Sequence, residues 1–389
     1  MKKFFLFFLF FTIQIFSNSD IKFNITITAN SSNIKLENLV DFSLDNDGNI
    51  FLLDADLAKI VCFDKDGNFL DKKVQITANY LKKPVSLEIS KDNKLFILDE
   101  SAKKVFIFDN GGNFLKYFGN SEGYLGSFNS PIDMAIDFNS NIYVIDEGNE
   151  QLLKFNSEGL FRGGIKIKNP IAVDVGVNGK IHVLSKSEYG YIIEVYKQNF
   201  VKEKNISLFQ MSNPHHFSVN SFNEYYIIDS EKGNAAYIDS TGKALSNPIG
   251  VKSSNRGRQQ FSKPTHILSK QISATADLIF ILDNDFSEIQ SFTVSNDKPR
   301  TEIKPILPKY DLKIVKNIKR SPAKDIVFDK LNEFAITING TIICTENGVL
   351  KYCFMSSSKK IEGEFFRNFV LRFFVNVKKR SSKKNIECG

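Results

Sequence analysis

Residues 49–70, "NIFLLDADLAKIVCFDKDGNFL", decide the fold because the chain repeats them as "KLFILDESAKKVFIFDNGGNFL" (94–115) and "NIYVIDEGNEQLLKFNSEGLF" (141–161). Weaker copies occupy 180–200, 224–245 and 278–294. The first strand of each pair ends at Asp54, Asp99, Asp146, Ser185, Asp229 and Asp283. The period is roughly 45 residues, in the range of propeller blades. A repeat of that length is a supersecondary unit that buries its faces only against its neighbours.

Each unit reads as four strands with a marked turn between each pair. "PVSLEIS" (84–90) alternates Val85, Leu87 and Ile89 with small or polar residues, the pattern of a half-buried strand. Pro131, Pro170, Pro214 and Pro264 open the equivalent strands, where a residue without a donor is tolerated. A Gly-containing hairpin turn such as Asp47-Gly48-Asn49 follows. The second strand is almost wholly apolar (50–53, 95–98, 142–145), which predicts burial on both faces. Its closing Asp is placed to accept backbone N–H groups of the next turn. The third strand carries "KIVCFD", "KVFIFD" or "QLLKFN" with Gly67, Gly112 or Gly159 in its turn, and the fourth is more polar, as an outer edge must be. These features predict an all-β fold, a β-propeller of four-stranded antiparallel blades.

At Phe63-Asp64, Phe108-Asp109 and Phe155-Asn156, with the turn glycines and the earlier Asp, the pattern over about 40–294 resembles NHL repeats. Ser185 departs from the Asp, and Tyr196-Lys197 from the Phe-Asp pair. A seventh unit is readable after Pro322, in "DIVFD" (325–329), "EFAITI" (333–338) and "TIICTENGVLKYCF" (341–354). Seven units are thus counted where the resemblance implies six, so six to seven blades are expected. The alternating segment "IKFNITIT" (21–28) is expected to close the ring by pairing with the last blade. The Lys- and Pro-rich segment 296–322 reads as an exposed connection.

The start of the chain has Lys2 and Lys3, an apolar run over 4–16 and small residues at Ser17 and Ser19. This is the form of a cleaved signal peptide (1–19), and the run is too short to span a bilayer comfortably. The protein is therefore expected to be exported, to a periplasmic, cell-envelope or secreted location, with a propeller over 20–354. No Cys follows the apolar run to take a lipid. Charge is uneven: of the net +7, Lys2 and Lys3 supply +2, and the tail 355–389, with nine Lys/Arg against three Glu, supplies +6. The body is left at 7 − 2 − 6 = −1, which gives no support to nucleic-acid binding, whose affinity needs a basic face. In the tail, Phe365, Phe366, Phe369, Phe373 and Phe374 share a helical face, and Lys378, Lys379 and Arg380 follow. Such a segment fits a peripheral membrane contact, or a helix or strand docked on the propeller itself. Cys62, Cys344, Cys353 and Cys388 form no C-x-x-C and read as small buried thiols.

Propeller ligands usually meet the inner strands at one mouth of the axial channel. The residues two after each opening Pro, or its equivalent, are Asp41, Ser86, Asp133, Ala172, His216 and His266. Of these, Asp41, Asp133, His216 and His266 have the chemistry of divalent-metal ligands if they converge. Peptide-amidating lyases, propellers resembling NHL proteins, place a metal-binding His directly after such a Pro. Here only Pro214-His215 matches, so His215 is the one residue carried over. Asp45-Asn46-Asp47-Gly48-Asn49 and Asp64-Lys65-Asp66-Gly67 lack the terminal Glu of a calcium loop and read as turns. No G-x-S-x-G, P-loop, H-E-x-x-H or dinucleotide fingerprint occurs. Two functions remain. The first is a non-catalytic binding scaffold for a protein, peptide or envelope component, needing no cofactor. The second is a metal-dependent hydrolase or lyase at the channel mouth.

Overall fold

The computed structural model describes residues 19–28, 36–70, 76, 80–119, 125–301 and 303, and the backbone of three strands between 331 and 353. The chain forms two compact units, Met1–Leu307 and Pro308–Gly389. The first is a six-bladed β-propeller of small antiparallel sheets.

Its inner strands are Leu39–Leu44, Pro84–Ile89, Pro131–Ile136, Pro170–Val175, Pro214–Val219 and Pro264–Ser273. Each lies against the next around the ring, and the sixth lies against the first. The second strands Ile50–Asp54, Leu95–Asp99, Ile142–Asp146 and Tyr225–Asp229 are buried at every residue. Neighbouring blades cover both of their faces, which explains the continuous apolar runs. Leu53, Leu95 and Phe106 of blades one and two share one such layer.

The ring closes as expected at the N-terminal strand. Asp20–Thr28 pairs antiparallel with Glu288–Ser295 and supplies the outermost strand of blade six. The seventh repeat, however, is not a seventh blade. Leu331–Ile336, Ile342–Glu346 and Val349–Cys353 form a three-stranded antiparallel sheet of their own in the second unit. The likeness between repeats is local, whereas blade number is set by which inner strand meets the first. The segment 325–329 and the tail 355–389 lie outside the described residues.

One side chain per blade fastens the repeat. Asp99 accepts the N–H groups of Lys82 (2.6 Å) and Lys83 (2.9 Å), in the entry loop, and of Ala102 (2.7 Å), in the turn that follows. Asp54, Asp229 and Asp283 make the same three-point clasp, and Asp146 holds Asn129 and Ser130. In blade four Ser185 takes this place, and its hydroxyl donates to Glu194 (2.9 Å), which also accepts from Tyr196 (2.7 Å) and pairs with Lys202. Both departures from the repeat thus belong to one cluster, since the Tyr196 hydroxyl has a partner only because Glu194 is there.

The Asp-rich turns are turns. Asp64 Oδ1 accepts from Asp66 (2.9 Å) and Asn68 (2.8 Å), and Asp45 Oδ1 from Asp47 (3.0 Å) and Asn49 (2.8 Å). Gly67 and Gly112 take φ of +84° and +86° there, a conformation that favours glycine.

After blade six the chain straps blades five and six together. The Arg300 guanidinium contacts both carboxylate oxygens of buried Asp277 (2.7 and 3.1 Å), Glu224 (2.9 Å) and the Tyr237 hydroxyl (2.9 Å). It stacks 3.9 Å from the Phe222 ring centroid. Arg300→Ala leaves Asp277 buried without its counter-charge and is expected to cost about 3–5 kcal/mol. Asp277→Asn added to it should recover part of that loss, as a double-mutant cycle by denaturant unfolding will show. Asp99→Ala removes the shared acceptor of three part-buried N–H groups and is expected to cost about 2–3 kcal/mol. A lowered thermal midpoint checks this.

Candidate functional site

The inner strands are sheet edges, so their channel-facing N–H groups need partners that no neighbouring strand provides. Side chains of the preceding blade supply them in two tiers. In the first, the residue two after the opening position accepts from the residue three after it in the next blade. Asp41 accepts from Leu87 (2.7 Å), Asp133 from Val173 (2.7 Å), and His216 Nδ1 from Ile267 (3.4 Å). In the second, one turn of the pleat further on, Asp174 accepts from Val219 (2.8 Å) and Ser218 from Ser269 (3.1 Å). Each Asp also accepts an N–H of its own strand, from Phe42 (2.7 Å), Met134 (2.8 Å) and Val175 (2.6 Å). A register shift at the start of nearly every inner strand aims these side chains at the axis.

They enclose a cavity of about 400 Å³ lined by Asp41, Glu88, Asp133, Asp174, His216 and Lys270, among others. It runs from the predicted ring toward the first hairpin turns at Asp45 and Asn46. Burial dominates its electrostatics, pushing Asp41 up to about 7 and Asp174 up to about 6 against the pull of their N–H partners. Asp133 and Glu88 stand well above the ordinary carboxylate range, through burial first and then through neighbouring carboxylates. Glu88 differs from the other three: it accepts a long contact from Ser43 Oγ (3.5 Å), and among the described residues no backbone N–H holds it. His216 is pulled down to about 3, by burial and then by His215, and His266 well below its usual value, by burial and then by His216 and His215, so both imidazoles are neutral.

Of the sequence candidates, Asp41, Asp133 and His216 line the cavity. Ser86 is buried beside Asp41, and Ala172, also buried, brings no polar atom. The His266 ring lies tilted at 42° to that of His216, 4.7 Å between centroids, with a buried Nδ1 that has no hydrogen-bond partner among the described residues, and His215 is exposed. Among the described residues no group of three or more His, Cys, Asp or Glu side chains is placed to hold an ion. Both oxygens of Asp41 and of Asp133 accept backbone N–H groups, one from their own strand and one from the next blade. Glu88 and Asp174 escaped the sequence reading. Their signal was the two-residue strand period, which puts the fourth residue after the Pro on the same face as the second.

Known proteins agree on the architecture. A family model described as a 6-bladed beta-propeller matches residues 77–243. A gluconolactonase from Xanthomonas campestris is similar at 10% identity and a TM-score of 0.53, over 72% of this chain and 97% of its own. A Bacteroides thetaiotaomicron protein of unknown function gives 13% and 0.53, over 72% and 77%. A virginiamycin B lyase from Staphylococcus aureus with quinupristin gives 13% and 0.50, over 71% and 99%. At these identities the likeness is one of fold. No curated protein sequence matches the chain.

The raised carboxyls set a pH dependence. Their native forms hold protons that the unfolded chain releases near pH 4, so this contribution is full below about pH 4 and fades as pH rises through 6 and 7. The thermal midpoint is expected to fall between pH 5 and 8. Glu88→Gln should flatten that slope and raise the midpoint at pH 8; an unchanged slope refutes the assignment.

Proposed function

We propose that this protein is an exported, non-catalytic binding scaffold that takes a protein or peptide partner, with a basic side chain of the partner entering the axial cavity. The observation that carries this reading is an axial cavity of about 400 Å³ lined by four carboxyls that burial holds above their ordinary range. A lysine ammonium or arginine guanidinium reaching Glu88 would meet a group with no backbone donor to displace. Its charge would draw protons off Glu88 and its neighbours and so exchange desolvation cost for ion pairing. A cavity of about 400 Å³ suits one side chain better than a large ligand. The interaction role implied by the NHL resemblance points the same way, as does the start of the closing strand at Asp20, directly after the expected cleavage site.

Trilysine, triarginine and acetylated trilysine are suitable probes for titration calorimetry at pH 6.5. The two basic peptides are expected to bind with proton release, seen as a dependence of heat on buffer ionisation. Acetylated trilysine should give no heat, and Glu88→Gln should weaken binding at least about tenfold. Equal heats from charged and acetylated peptides would remove the reading. Dialysis against a chelator is expected to leave the thermal midpoint unchanged, and a drop in midpoint would revive the metal-dependent alternative.

A further inference from the structure

We propose that the rim of the ring over blades four to six rests on an anionic lipid surface. Strand direction divides the loops between two rims. Inner strands run away from their opening residue, so the turns between second and third strands and the connections between blades share the rim of the opening prolines. That rim holds the three most exposed large apolar side chains among the described residues: Tyr189 (90% exposed), Phe209 (87%) and Leu125 (79%). Tyr189 tips the turn between Ile181–Ser187 and Gly190–Tyr196. Phe209 sits on the connection between Lys202–Ser207 and Pro214–Val219. Val251 (59%) stands on the connection from blade five to blade six.

Two lysines tie these loops together. Lys232 reaches the Gln210 carbonyl beside Phe209, and Lys252, next to Val251, reaches the Ser230 carbonyl (3.2 Å). The loops of the same rim over blades four to six carry exposed Lys186, Lys232, Lys252, Arg256, Arg258 and Lys263 against Glu188, Glu231 and Asp285, with Arg256 and Arg258 lying over the Phe286 and Phe23 rings. A protein interface is built around a contiguous desolvated core. Separate protruding aromatic tips among cations are the arrangement that enters an acyl–headgroup boundary, with the cations in the phosphate layer. The surface uses neither the axial cavity nor the C-terminal tail.

The test is flotation of the full chain with vesicles of phosphatidylcholine alone or with phosphatidylglycerol added. The chain is expected to bind the anionic vesicles and to be released by salt. Tyr189→Ser with Phe209→Ser should lower the partition coefficient at least about tenfold. Lys186→Glu with Lys263→Glu should lower it similarly and weaken its salt dependence. All four positions are exposed, so thermal midpoints should stay within a few degrees of the parent, which separates loss of binding from loss of fold. Partitioning unchanged in both double variants would assign any binding to the tail and overturn the proposal. Equal binding to both vesicle types, or none to either, would overturn it too.

Discussion

The propeller depends on one recurring bond set: in five of the six blades a carboxylate at the end of the buried second strand holds the entry loop on one side and the following turn on the other. A strand covered on both faces cannot let water satisfy the backbone where the chain turns away from it. Asp99 answers that need for blade two with three N–H bonds from two segments. In doing so it fixes where the inner strand begins. Every residue that points at the axis is counted from that start, so the geometry of the channel is inherited from a bond on the rim.

The channel meets a second constraint with the same chemistry. Six strand edges face one another there, and three carboxylates together with His216 and Ser218 are acceptors that join them. Burial raises the carboxyls above their ordinary range, so stitching the blades together also gathers weakly acidic carboxyls round the cavity. The structural duty occupies Asp41, Asp133 and Asp174 and leaves Glu88 alone uncommitted to the backbone. Had those Asp oxygens been unengaged, the same residues would read as metal ligands.

Much of this was legible in the residues. The apolar second strands, the Pro and Gly positions and the strand-ending Asp are consequences of local geometry, which repeats whenever the fold does. The inner-strand ring at Asp41, Ser86, Asp133, Ala172, His216 and His266 followed from counting along a strand, and half of it lines the cavity. Glu88 and Asp174 were missed because one tier was counted and not the next. The departures at Ser185 and Tyr196 looked like decay of the repeat until Glu194 was seen between them.

The sequence by itself determined the unit: short antiparallel strands, four to a sheet in four of the six blades and three in the other two among the described residues, with their turns, the closing role of residues 21–28 and the side chains offered to the axis. Periodicity and turn chemistry are local, so each is written where it acts. Only the tertiary structure decided that six units close the ring while a seventh folds as a separate sheet, and that the aspartates of the channel join the backbone of two blades. Those outcomes rest on contacts between residues some forty to fifty positions apart or more, such as Asp41 with Leu87 and Asp20 with Ser295, and no single repeat encodes its neighbour's position.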